Sequence, residues 1–492
     1  MSETDALLKG IPSFGTDLDV IIIGAGISGI NTAYRLQTEL PAGTTYAILE
    51  GRDALGGTWD LFKYPGIRSD SDISTFGFPW FPWRKPTSLA SAAEIKDYMR
   101  KAAEQYGIDR QIRYHHHVHS ANWDTPSKRW HLSVSINDAP PTTFTARFLL
   151  LGTGYYDYTT PLQAIIPSIS TFSGEVVHPQ FWPSTFSPEG KHIAIIGSGA
   201  TAVTLLPTLA PVAKHVTMIQ RSPSYIFSIP LHTPLVTFLF KILPASVAHA
   251  INRTRWLIRS AMIQLTCRLF PETAKKNLRK ATEAQLPPDI KYDPHFKPRY
   301  NPWEQRLCAC VDGDFFAAFR SGKAGVVTGV IKEVKEKEIV MEDGQVVKPD
   351  VIVTATGLKL RFGGGIRFSV DEEEVKWNER FAWRASMVEG VPNLVFLMGY
   401  EQWSWTLGAD ASTRLFVRVW KEMVRRGKEV VMPRVEGEME QRGMMGLSST
   451  YLKTQYETLP KAGGGLWGPK RNYLNDIWKA RFARIAKGLV FS

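Results

Sequence analysis

Cysteine is scarce in this chain. Cys267, Cys308 and Cys310 are the only three in 492 residues, too few for a disulfide framework, and a reducing, cytoplasmic setting is expected. Long apolar runs are missing as well. The nearest, LVTFLFKIL at 235–243, holds a lysine and stops at Pro244, short of the ~18–20 residues that cross a bilayer. No basic stretch followed by an apolar one opens the chain, so no secretory signal is expected. Acidic residues are in deficit, 47 against 59 Lys and Arg, for a net charge of +12. No nucleic-acid motif accompanies that charge and it is thinly spread, which fits anionic small molecules and not DNA or RNA. Histidines 115, 116, 117 and 119 form the one metal-like run. Neighbours on a strand point to opposite faces and no acid or cysteine joins them, so no metal site is expected.

What is abundant is glycine in two special places. VIIIGAGISG carries Gly24, Gly26 and Gly29, and IAIIGSGATA carries Gly197, Gly199 and Ala202. Each follows a short apolar run and opens a helical pattern. Such a loop turns tightly, lets the backbone approach a pyrophosphate, and presents helix N–H groups to it. Two of them predict an α/β chain with two dinucleotide-binding, Rossmann-like domains.

The elements follow from periodicity. A strand at Asp19–Ile23, a helix at Ile27–Leu40 and a strand at Thr45–Glu50 make one βαβ unit. An amphipathic helix is expected near Ser91–Tyr106, and alternating strands over 112–150. The second unit has its strand after His192, its helix near Ala200–Leu209 and a strand at His215–Gln220. Residues 230–285 mix apolar and basic side chains at helical spacing. They read as a helical insertion, a lid over a pocket or else a surface that touches a membrane. The expected division is 17–160 and 346–492 for the first domain, and 161–229 and 301–345 for the second. The insertion occupies 230–300, and residues 1–16 form a disordered arm.

The second strands separate the cofactors. Glu50 ends the first, where a carboxylate accepts hydrogen bonds from ribose hydroxyls, as FAD requires. The other ends in Gln220-Arg221-Ser222 with no acid. Arginine and a hydroxyl suit the 2′-phosphate of NADPH, which an acid would repel. Disulfide reductases with two dinucleotides need a cysteine pair soon after the first loop, and none is there.

Further motifs resemble one family. Phe172-Ser-Gly174-Glu-Val-Val-His178-Pro-Gln-Phe-Trp182-Pro183 is similar to the fingerprint of type I Baeyer–Villiger monooxygenases. Gly56-Gly57-Thr58-Trp59 followed by Tyr64–Asp70, and Thr354-Ala355-Thr356-Gly357, resemble two more of its signatures. PRYNPWEQRLC (298–308) and SWTLGAD (404–410) resemble the ethionamide-activating subgroup. The resemblance implies that NADPH reduces FAD, that the reduced flavin forms a C4a-peroxyflavin with O2, and that this attacks a small-molecule ketone to give an ester or lactone. It implies an arginine, here Arg306, that stabilises the developing anion, and a carboxylate, Asp70, that orients it. Ser28, Thr58, Trp59, Asp60, Leu61, Asp70 and Val118 are implied FAD contacts. Arg68, Ser69 and Asp70 are implied NADPH contacts, together with Gly197, Ser198, Gly199, Ala200, Thr201, Ala202 and Val203 of the second loop. His178 is expected to act in the linker between domains and not as an acid or base. The rival readings are an S- or N-oxygenating flavin monooxygenase and, more remotely, a flavin-binding protein without activity.

Overall fold

The computed structural model describes residues 15–446 and 456–492. The expected N-terminal arm lies outside the described residues over positions 1–14. Two sheets organise the rest. The first begins with β1 (Asp17–Ile23), α1 (Ile27–Glu39) and β2 (Tyr46–Leu49). β1 is parallel to β2 on one side and to β6 (Thr142–Leu151) on the other, with Ile23 level with both Leu49 and Leu151. A strand flanked on both sides and covered on both faces must be apolar throughout. Val20, Ile21 and Ile22 are accordingly fully buried. Val20 and Ile22 pack with Ile30 and Ala33 of α1, while Ile21 and Ile23 pack beneath with Leu149 and Leu151.

Between β2 and β6 the chain makes three short or medium helices. They are α2 (Thr58–Leu61), α3 (Ile73–Phe76) and α4 (Ala92–Gln105). α4 starts where the sequence indicated, because Ser91 and Glu94 form a reciprocal capping box. The sheet is extended by β3 (Ile112–Arg113), β4 (His116–Asp124) and β5 (Arg129–Ile136), with β5 antiparallel to both β4 and β6.

The second sheet has five parallel strands. In chain order they are β7 (Glu175–Val177), β8 (His192–Ile196), β9 (His215–Gln220), then β12 and β13. α5 (Ala200–Leu209) covers one face, where Ile193 and Ile195 point. β10 (Ile226–Ile229) leads into the insertion, which is helical as expected: α6 (Pro234–Ile242), α7 (Ala245–Leu269) and α8 (Pro271–Glu283). The chain returns through β11 (Cys308–Val311), which pairs with β10, then α9 (Asp314–Arg320) and β12 (Ala324–Thr328). A small antiparallel meander covers the other face of the sheet, where Ala194 and Ile196 pack with Ile339 and Met341. β13 (Val351–Thr354) lies between β7 and β8. The chain therefore leaves the second sheet after Thr354, and not at 346 as the sequence suggested. The boundary was hidden because a short buried strand looks the same in either sheet.

The first sheet is completed by β14 (Arg367–Val370) beside β4 and β15 (Leu394–Phe396) beside β6. α10 (Trp405–Arg425) then packs against α1 through a buried ionic cluster, where Asp410 accepts from Arg35 and Arg414 at 2.8 and 2.9 Å. α11 (Tyr473–Phe482) follows near the end of the chain.

The glycines of the two loops differ in what holds them. A Cβ on Gly29 would stand 2.0 Å from the backbone oxygen of Gly24, whereas one on Gly199 would meet no protein atom within 4 Å. Gly29→Ala is therefore expected to destabilise the fold by more than about 3 kcal/mol. Gly199→Ala should cost no more than about 1 kcal/mol. Thermal unfolding followed by circular dichroism checks both, and equal losses would contradict this reading.

Candidate active site

A single cavity of about 1290 Å³ runs between the two domains. Single small-molecule sites hold ~300–1,000 Å³, so this one is roomy enough for more than one ligand. At one end it is lined by Gly24, Gly26, Ser28, Glu50, Thr58 and Trp59, at the other by Gly197, Ser198, Gly199, Arg221 and Ser222. Asp70 and Arg306 line the same cavity.

These two residues come from different domains. Asp70 precedes α3, whose N-cap is Asp72, the acceptor of the Thr75 N–H at 2.8 Å. With the cap taken by Asp72, the Asp70 carboxylate is left for another partner. Arg306 lies just before β11, where Cys308 and Cys310 are buried. Its Nε and Nη2 each donate to an Asp70 carboxylate oxygen at 2.6 Å, a fork-on-fork pair. Nη1 donates to the Glu401 carbonyl at 2.9 Å and Nη2 to the Ser71 hydroxyl at 3.1 Å. A guanidinium has five N–H donors. Four are engaged, and the second N–H on Nη1 is left on a side chain that lines the cavity. Burial alone would lower the proton affinity of Arg306, but the Asp70 carboxylate outweighs it and raises that affinity further. Tyr155, stacked on Trp405 with centroids 4.9 Å apart, forms the aromatic wall nearby.

The first loop is pinned by Glu50. Its carboxylate accepts from the Ala25 N–H at 2.8 Å and the Arg52 N–H at 3.1 Å. A carboxylate has about four acceptor positions, so Glu50 can hold the loop and still meet a ribose. A Cβ on Gly26 would meet only Gly57, its Cα at 3.6 Å and its N at 4.0 Å. Gly26 and Gly199 both leave open backbone on the cavity wall that a phosphate can approach. Thr356, which lines the cavity, adds a buried hydroxyl with no hydrogen-bond partner among the described residues. The donor set and the open cradles fit two dinucleotides.

The remaining expected residues divide. Leu61, Val118, Ser69, Ala200 and Thr201 line the cavity. Ser28 does too, and its hydroxyl accepts from Trp405 Nε1 at 2.9 Å. Gly29, Ala202 and Val203 do not reach it and instead pack the helix starts against their strands. Two expected residues are not among those that line the cavity. Asp60 sits in a cluster with Lys96 at 2.5 Å and Arg52 at 3.3 Å. Arg68 is likewise off the cavity and donates to Asp314 of α9 at 2.6 Å, a second tie between domains. In a four-residue helix and a turn, no periodicity tells which side chain faces inward. His178 caps a short turn by accepting from the Gln180 N–H at 3.2 Å. Among the described residues no cluster of three or more metal-ligating side chains occurs.

No residue of the insertion lines this cavity. The insertion braces the site from behind. Arg253 Nη1 donates to the carbonyls of Ser74 at 2.7 Å, Thr75 at 3.3 Å and Gly77 at 3.0 Å, at the end of α3. Asn252 donates to the Ser74 hydroxyl at 2.7 Å. Gln264 donates to the carbonyl of Gln402, the neighbour of Glu401, at 2.9 Å. These residues carried no signal in the sequence, because each acts on a distant segment, Arg253 and Gln264 through main-chain oxygens and Asn252 through a serine hydroxyl.

Comparison with known proteins follows the same lines. A family model described as pyridine nucleotide-disulphide oxidoreductase matches residues 21–228, which hold both glycine loops. The FAD-containing monooxygenase EthA of Mycolicibacterium smegmatis is 41% identical over 470 residues, 95% of each chain. The probable FAD-binding monooxygenase AlmA of Acinetobacter baylyi is 38% identical over 96% of this chain and 95% of its own. Among solved structures, polycyclic ketone monooxygenase from the thermophilic fungus Thermothelomyces thermophila superposes with a TM-score of 0.73 at 19% identity. That match covers 100% of this chain and 92% of the other. Cyclohexanone monooxygenase bound to epsilon-caprolactone superposes with a TM-score of 0.71 at 20% identity, over 97% and 100%.

The brace makes a testable claim. Arg253→Ala strands three carbonyls at the end of α3, each worth about 1 kcal/mol. The Asp70–Ser71 turn then loses its backing, and steady-state turnover is expected to fall about tenfold with FAD still bound. Arg253→Lys should recover part of the loss. Unchanged turnover in Arg253→Ala would show that the brace does not act on the site.

Proposed function

The chain belongs to the FAD-containing monooxygenase family, and from that premise we propose that it is an NADPH-dependent monooxygenase of Baeyer–Villiger type. Its reaction would place one oxygen atom of O2 beside a ketone carbonyl. The carrying observation is the Asp70–Arg306 pair on the wall of a cavity that both nucleotide loops also line. Bound FAD, reduced by NADPH, supplies the activated oxygen.

The chain's own residues supply the rest. When a ketone carbonyl is attacked, negative charge gathers on its oxygen. Arg306 keeps its proton at any working pH, so it stabilises that charge without giving up a proton of its own. Asp70, Ser71 and the Glu401 carbonyl fix the guanidinium in advance, so little reorganisation is needed as the charge forms. Trp405 and Tyr155 exclude water on one side. Glu50 suits the ribose of FAD. Arg221 and Ser222, on the cavity at the end of β9, suit a 2′-phosphate.

The test is product analysis. Purified, FAD-loaded protein is incubated with ketones and thioethers under NADPH and labelled O2. One labelled oxygen in an ester or lactone is expected. Sulfoxide with no ester from any ketone would overturn the proposal in favour of a heteroatom oxygenase. Arg306→Lys keeps the charge and loses the fork, so turnover is expected to fall about 100-fold. Arg221→Ala should lower kcat/KM for NADPH about tenfold or more and leave NADH nearly unchanged.

A further inference from the structure

The outer face of the insertion is built the wrong way round for a surface in water. Eleven of the twenty-two large apolar side chains exposed among the described residues lie in 234–270. On α7 they form a stripe: Val247, Ile251, Ile258, Met262, Leu265 and Leu269, each between 43% and 62% exposed. With Thr254 in the gap, the steps are three or four residues, so the stripe follows one side of the helix. The opposite side, with Ala248, Asn252 and Trp256, is buried. α6 repeats the arrangement, with Leu235, Phe238 and Ile242 outward and only Val236 buried. Soluble monomers rarely carry a contiguous apolar patch of this kind without a partner for it.

We propose that the outer face of α6 and α7 docks on an anionic phospholipid bilayer, with the helices lying in the headgroup plane. Charge selects this occupant. Residues 234–270 contain five basic side chains and no acidic one. Arg253 turns inward to hold α3, and Arg255 and Arg259 lean toward the inner side, 6.0 and 4.8 Å from the ring centroid of the buried Trp256, which leaves Lys241 and Arg268 exposed at the two ends of the stripe. Apolar side chains flanked by cations suit a surface of negative headgroups over acyl chains. A two-fold contact between copies of this chain would instead bring two such cationic faces together. α11 extends the surface. Its first residue, Tyr473, packs on the same Tyr400–Trp403–Leu407 cluster as Leu257 and Ala261 of α7. Beyond it, Leu474, Trp478 and Phe482 point outward at four-residue steps beside Lys479 and Arg481. Tryptophan favours the interfacial zone. No helix of the described residues is long and apolar enough to cross a membrane, which agrees with lying on one.

The experiment is vesicle co-sedimentation of the FAD-loaded protein. Vesicles of phosphatidylcholine with about 30% phosphatidylglycerol are compared with phosphatidylcholine alone. Binding to the anionic vesicles is expected to be at least about fivefold higher and to weaken with salt. Phe238→Glu with Ile258→Glu and Leu265→Glu should lower it about tenfold or more. Val212→Glu, an exposed apolar site elsewhere, should bind like the parent. If the triple variant does not retain FAD, Ile258→Ser with Leu265→Ser takes its place and the same loss is expected. No binding to anionic vesicles overturns the proposal. So does binding untouched by the variants, or a dimer in sedimentation velocity that the variants dissolve while vesicle binding is absent.

Discussion

The ion pair between Asp70 and Arg306 joins two domains and is also the charge around which the cavity is arranged. The Arg306 side chain keeps 34% of its surface exposed, and its guanidinium is held by charge-assisted hydrogen bonds on three sides. Asp70 accepts two of them from the first domain. The pair thus makes the relative position of the domains and the position of the cation one and the same variable. Arg68 with Asp314 ties the same two bodies a short distance away. A displacement of either domain would strain both bridges together, so the cavity between the glycine loops has a defined width.

The loops show how one motif serves two purposes. Gly29 is required by the fold itself, since any side chain would enter the backbone of Gly24. Gly26 and Gly199 are hardly required by it. At those two positions the protein leaves room that a bound phosphate would use. The shared spacing conceals this, because a glycine needed for helix packing and one needed for ligand approach look identical in a string of letters.

That distinction describes what was legible in the sequence more widely. Buried parallel strands and their helices could be read directly, because Val20–Ile23 and Ile193–Ile196 are apolar runs bounded by glycine turns, and Ser91 with Glu94 spells a helix start. The Asp70–Arg306 pairing was reachable only through the family resemblance, as 236 residues separate the partners. Side-chain direction within short elements was not readable. Asp60 and Arg68 stand in a one-turn helix and a turn, where the choice between facing a ligand and facing Lys96 or Asp314 is made by distant segments. The crossing back to the first domain at 355 was equally hidden, since Val351–Thr354 would be a sound buried strand in either sheet.

The insertion unites these themes in one helix. On its inner side α7 spends Asn252 on the Ser74 hydroxyl and Arg253 on backbone oxygens of α3, which directly follows the Asp70–Ser71 turn. Those hydrogen bonds fix the helix's rotation, and the rotation in turn forces Val247, Ile251 and their successors outward. An ordinary surface helix settles its orientation by burying its apolar stripe. Here two polar anchors, Asn252 and Arg253, together with Trp256 decide the matter against that tendency. The exposed stripe is therefore a consequence of holding the active-site turn in place. Any force that the outer face feels is delivered through the same helix to the turn that carries Asp70.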